Sequence, residues 1–90
     1  LLMKKTIAEL RQEINDVDEQ LVKFLAQRFT LTQKIGLLKK ETTQPIEDPT
    51  RNQEMKNRQM QLAKLHTIKP EIVDQIFEKI IALSIKEQTS

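Results

Sequence analysis

Ile7-Ala8-Glu9-Leu10-Arg11-Gln12-Glu13-Ile14-Asn15-Asp16-Val17-Asp18-Glu19-Gln20-Leu21 is the stretch whose reading decides the fold. Its apolar residues open a series, Ile7, Leu10, Ile14, Val17, Leu21, Phe24, Arg28, Leu31, Ile35 and Leu38, that recurs at alternating steps of three and four. That is the heptad period of a helix seam packed against other helices, and Arg28 alone breaks its apolar character. Just upstream, Thr6 with Glu9 three residues later fits a capping box, so the helix is expected to start there. Gly36 is a weak point, costing about 1 kcal/mol against Ala in a helix interior, but the pattern runs through it to Lys39-Lys40. The spacing therefore predicts a first helix of about 35 residues, roughly 50 Å long. A compact 90-residue globule has a radius of gyration near 12 Å, so such a helix overhangs any monomeric core. Its seam calls for cover by another chain, most simply in a two-fold dimer.

Outward from that helix the chain is punctuated by proline. Glu41 to Glu47 is a polar connection containing Pro45. Asp48-Pro49 reads as an N-cap followed by Pro at the first helical position, opening a mostly solvated second helix to about Leu65 whose few apolar residues are Met55, Met60, Leu62, Ala63 and Leu65. His66 to Lys69 is a turn, with His66 a helix-end residue facing water. Pro70 opens a third helix, in which Val73, Ile76, Phe77, Ile80 and Ile81 are expected to form one apolar stripe that Ser84 and Gln88 extend with polar groups. The expected fold is all-α: three helices per chain, one long and two shorter, in a single domain over residues 1–90 that forms an intertwined homodimeric bundle. Leu1-Leu2 ahead of Met3 reads as an addition to a natural start at Met3.

Composition narrows the function. There is no Cys, hence no disulfide framework and no thiolate nucleophile, and the lone His66 cannot build a His-rich metal cluster, so neither a metal nor another cofactor is expected. Lys+Arg 15 against Asp+Glu 13 leaves a net charge of +2, far from the one-sided excess of a nucleic-acid coat protein, and three Phe with no Tyr or Trp give no stacking platform. No apolar run approaches a membrane span or a secretory leader. A soluble, cytoplasmic protein is expected, with neither nucleic acid nor membrane as partner.

The informative residues are polar ones where burial is expected. Arg28 occupies a seam position, Arg11 flanks the seam beside Leu10, and Lys39 follows Leu38 at its far end. Eleven residues are close to three full turns, so Arg28 and Lys39 project from one face of a regular helix, whereas the seventeen from Arg11 to Arg28 leave those two about 100° apart. Each has a purely structural explanation: Arg28 fixes register or snorkels, and Lys39 complements the helix dipole. Likewise Asp48 caps, Arg51 is a first-turn surface residue, and Ser84 back-bonds to its own helix. The functional reading rests on their coincidence. A bundle interior holding Arg, Lys, Arg, Ser and Gln without a matching acidic run is costly unless an anionic ligand supplies the counter-charge.

Several segments, in this order and spacing, resemble the all-helical chorismate mutase family: Leu10-Arg11-Gln12-Glu13-Ile14-Asn15-Asp16-Val17-Asp18-Glu19-Gln20-Leu21, Leu25-Ala26-Gln27-Arg28, Ile35-Gly36-Leu37-Leu38-Lys39, Asp48-Pro49-Thr50-Arg51, and Ser84-Ile85-Lys86-Glu87-Gln88. The resemblance covers about Ile7 to Gln88. It implies an intertwined dimer of three-helix protomers whose sites each take one arginine from the other chain. Carried over position by position, it makes Arg28 a carboxylate anchor in its own protomer and Arg11 the anchor delivered to the partner's site. Lys39 and Gln88 become the groups that hydrogen-bond the ether oxygen of chorismate, and Asp48, Arg51 and Ser84 position the rest of the substrate. One position departs: the residue after Arg51 is Asn52, where the family usually has a Glu associated with the substrate hydroxyl and with orienting the catalytic lysine. Asn accepts a hydrogen bond but carries no charge. The resemblance thus implies rearrangement of chorismate to prephenate. An isochorismate pyruvate lyase of the same fold and a non-catalytic helical dimerisation module are the alternatives.

Overall fold

The computed structural model describes residues 4–89, the side chain of Thr89 excepted, so the reading of Leu1-Leu2 lies outside the described residues. Three α-helices follow one another: α1 (Ile7–Glu41), α2 (Pro49–Leu65) and α3 (Pro70–Thr89), with no strand among the described residues. The expected helix starts are present. Thr6 Oγ1 accepts from the Glu9 N–H at 3.1 Å while the Thr6 N–H reaches Glu9 Oε1 at 3.4 Å, a reciprocal capping box. Asp48 is extended (φ −126°, ψ 103°) and accepts from the Arg51 N–H at 3.2 Å, with Pro49 in the first turn where its missing N–H costs nothing.

The helix ends are built in a way that the single glycine in the sequence does not announce. After α1, the Gln44 N–H reaches Lys39 O at 2.8 Å and the Thr43 N–H reaches Lys40 O at 3.4 Å, with Thr43 at φ 56°. After α2, the Ile68 N–H reaches Ala63 O at 2.9 Å and the Thr67 N–H reaches Lys64 O at 3.3 Å, with Thr67 at φ 55°. Both are Schellman closures with a β-branched residue in the left-handed position that glycine ordinarily fills. Thr67→Gly is accordingly expected to stabilise the fold by about 0.5–1 kcal/mol, the relieved strain exceeding the added freedom of the unfolded chain. A rise of several degrees in thermal unfolding would register it, and an unchanged or lower midpoint would show that Thr67 is unstrained.

The chain divides into two compact units, Leu1–Leu31 and Thr32–Ser90. In the first, the α1 seam has no second element to lie on: Ile7, Leu10, Ile14, Val17, Leu21, Phe24 and Leu31 are between 47% and 68% exposed, and Arg28 is half-buried. In the second, α2 packs on α3. Ala63 and Val73 are buried together with Gly36, Gln59 and Ser84, and Met55, Met60, Phe77, Ile80 and Ile81 are half-buried around them. One expected member of the α3 stripe is displaced, since Ile76 is 52% exposed. A step of three from Val73 carries it to the opposite side of that residue from Phe77, where it forms a second, exposed stripe with Ile72 and Leu83. Gln59, read as one more polar residue of a solvated helix, is buried because it stands one turn before Ala63 on the face turned to α3.

Candidate active site

Within the unit Thr32–Ser90, α3 meets the last turns of α1 at a single glycine. Gly36 is buried because Gln88 of α3 lies directly against it: a Cβ at position 36 would stand 3.0 Å from Gln88 Cγ and 3.3 Å from its Cβ. The glycine is therefore a close approach and not merely a weak point in a helix. Gln88 Oε1 is buried and has no hydrogen-bond partner. An orphaned buried acceptor is uncommon in proteins. Gln33, Leu37, Lys40 and Glu87 line the hollow beside this contact, together with Gly36 and Gln88.

Lys39 follows Gly36 by three residues, just under one helical turn, in the last turn of α1, and is half-buried. Its Nζ donates to the carbonyl of Ile46 in the loop between α1 and α2, and among the described residues it enters no ion pair. Ser84, one turn before Gln88 on α3, is 3% exposed and its Oγ donates to Ile80 O at 2.8 Å, the back-bond foreseen as its structural explanation. Asp48 spends one carboxylate oxygen on its cap, and the Asn52 N–H closes on Asp48 O at 2.9 Å in the same turn. Arg51 is exposed, with a loose 3.8 Å pair to Glu54 that holds it only weakly. The Asn52 side chain is exposed as well.

Arg11 and Arg28 belong to the other unit. Arg28 is half-buried on α1, and Arg11 is exposed with no hydrogen bond or ion pair among the described residues. Lys39, Gln88, Ser84 and the Asp48 turn thus belong to one unit, and the two arginines to the other. Among the described residues no group of three or more His, Cys, Asp or Glu is placed to hold a metal ion. Ammonium, guanidinium and amide donors make an anion-binding set suited to orienting a substrate and meeting charge that develops on it.

A family model described as chorismate mutase type II matches residues 10–89, almost the whole of the described chain. The chain belongs to the chorismate mutase type II family. Among its relatives is a chorismate mutase of Methanocaldococcus jannaschii, 30% identical over 79 residues, which are 88% of this chain and 80% of that one. Two others carry the name bifunctional chorismate mutase/prephenate dehydratase: that of Buchnera aphidicola subsp. Acyrthosiphon pisum, 38% identical over 78 residues, and that of Escherichia coli K12, 30% identical over 79. This chain spans 87% and 88% of its own length in those two matches and only 20% of either relative. Family and relatives together support chorismate mutase function, an isomerase chemistry, for this domain.

For a chorismate mutase, the Gly36–Gln88 contact yields a direct expectation. Gly36→Ala improves helix propensity yet pushes its Cβ into the Gln88 side chain, so turnover is expected to fall about tenfold with little loss of thermal stability. Full activity in Gly36→Ala would remove the Gln88 placement from the account.

Proposed function

We propose that this chorismate mutase domain converts chorismate to prephenate, on the route to phenylalanine and tyrosine, as a cytoplasmic homodimer that shares residues between its two sites. The observation that carries the reading is the family match over residues 10–89 on a chain in which Gln88 packs directly on Gly36 of α1 and the half-buried Lys39 lies in the last turn of the same helix. No helix among the described residues is long and apolar enough to cross a membrane.

Chorismate carries two carboxylates, and the planar forks of Arg11 and Arg28 match them in a compact pose. The reaction is a Claisen rearrangement within one molecule: the ether C–O bond breaks, a C–C bond forms, and no group is transferred to or from the protein. No nucleophile is needed once the enolpyruvyl arm is folded over the ring. Negative charge grows on the ether oxygen as the C–O bond opens, and Lys39 and the Gln88 amide stabilise it, while Asp48, Arg51 and Ser84 position the ring. Orientation and preorganised charge of this kind each contribute several kcal/mol of barrier, on the scale of about 3 kcal/mol for one well-aimed donor. The exposed apolar seam of α1 supports the dimer, since residues with this period call for a partner helix.

Asn52 favours a second reading. With no carboxylate at that position, the site matches less well the ring hydroxyl that chorismate presents, and an isochorismate pyruvate lyase is the rival on the same fold. Incubating the protein separately with chorismate and isochorismate and quantifying products decides. Prephenate from chorismate supports the mutase, pyruvate with salicylate from isochorismate supports the lyase, and neither product together with no calorimetric binding of chorismate identifies a helical dimerisation module.

A further inference from the structure

Lys39 is fastened to the α1–α2 loop at both of its ends. Its backbone carbonyl accepts the Gln44 N–H at 2.8 Å in the Schellman closure, and its ammonium donates to the Ile46 carbonyl two residues further on. The loop is given its course by Thr43, in the left-handed region at φ 56°, whose N–H reaches Lys40 O at 3.4 Å and whose Oγ1 reaches Thr42 O at 2.7 Å. Ile46 is half-buried in a loop whose other residues are exposed, and Lys39, in the last turn of α1, is half-buried as well. Among the described residues no acidic side chain takes this ammonium, and the side chain at position 52 is a neutral amide.

We infer that the Ile46 carbonyl is the positioning group for Lys39, holding its ammonium by one N–H and leaving the other two for the substrate's oxygen. The inference rests on the reading of Lys39 as the residue that meets the charge on the ether oxygen. An ammonium has three donors and no acceptor, and a flexible four-carbon stem that loses much rotamer freedom when fixed. A carbonyl fixes its direction without neutralising it. A carboxylate would fix it too, but at the cost of drawing off part of the charge that the reaction needs. The loop therefore supplies the orientation, and the full positive charge stays available to the transition state. The same arrangement explains why a loop of seven residues between two helices carries a strained threonine: a loop that missed the left-handed turn would lead Ile46 elsewhere.

A backbone acceptor is tested by changing the backbone. At 90 residues the chain is within reach of chemical synthesis, and replacing the Ile46–Glu47 peptide bond by an ester weakens the Ile46 carbonyl as an acceptor. The Glu47 N–H lost in the exchange donates to no group among the described residues, so the change falls on the acceptor alone. An ester between Ile68 and Lys69, in the turn between α2 and α3, is the control: the same chemistry away from Lys39 and from the substrate-positioning residues, at a carbonyl and an N–H that bond no group among the described residues. The Ile46–Glu47 ester is expected to lower kcat on chorismate about tenfold with KM and the unfolding midpoint within twofold and two degrees of the all-amide chain, roughly the effect of loosening one hydrogen bond to a charged group. The control ester should leave kcat unchanged. Nitrogen-15 NMR of a labelled Lys39 ammonium reads the same bond without any substrate: its hydrogen exchange with water should be faster in the Ile46–Glu47 ester than in the control. Equal kcat and equal exchange in the two esters would overturn the inference, as would a loss confined to KM or to stability. If the all-amide chain leaves chorismate unconverted, the functional reading falls instead, and ammonium exchange by itself then decides whether Ile46 holds Lys39.

Discussion

Lys39→Ala is expected to lower kcat on chorismate by about a thousandfold or more while the protein stays folded. The ether oxygen of the bound substrate is neutral, and it gains charge only as its bond to carbon opens. An ammonium aimed at it therefore stabilises the transition state far more than the ground state, so its loss falls on kcat and leaves KM comparatively unmoved. Removing one donor of an oxyanion-type site costs about a hundredfold to a thousandfold, and a full charge stands at or beyond the upper end of that range. The folding cost is small by comparison. Lys39 is half-buried, and its one side-chain hydrogen bond, to the Ile46 carbonyl, contributes about 1–2 kcal/mol at most. Steady-state kinetics with circular dichroism melts separates the two effects. A Lys39→Ala protein that keeps most of its turnover would take Lys39 out of the mechanism.

The starts of the helices were legible because each is written in local chemistry. Thr6 with Glu9, Asp48 with Pro49, and Pro70 all act within four residues, and all three helices begin where those residues put them. Their ends were less so, since the cue looked for after a helix is glycine and here Thr43 and Thr67 take the left-handed positions. Gly36 shows a different limit. From the sequence it is only a deficit in helix propensity, and its purpose appears when Gln88, fifty-two positions later, is found against it. Ile76 failed for want of angular resolution, because a step of three residues reads as one face in a pattern and can fall on either edge of it in a helix. Gln59 carried no signal at all, being a polar residue buried by its neighbours' packing. The site was legible in part. Arg28 stood out as a cation in an apolar series, and Lys39, Ser84 and Gln88 as polar continuations of one, but what those positions do came from the family resemblance rather than from spacing.

The central claim is that each active site is built by two chains, with Arg11 acting in the partner's pocket. Arg11→Ala and Lys39→Ala homodimers should each be nearly inactive, because every site in either lacks one essential cation. When the two are unfolded and refolded together, random pairing makes about half of the dimers mixed. In a mixed dimer the pocket built on the Arg11→Ala chain keeps its own Lys39 and receives an intact Arg11 from the Lys39→Ala chain, so one of its two sites is complete. The other lacks both groups. With independent sites, activity should recover to about a quarter of that of the unaltered protein. If Arg11 instead works within its own chain, no site of the mixed dimer is whole. Refolded mixtures in which mass spectrometry finds the heterodimer, and which are still no more active than the separate variants, would contradict the shared site; recovery near a quarter is the result this account predicts.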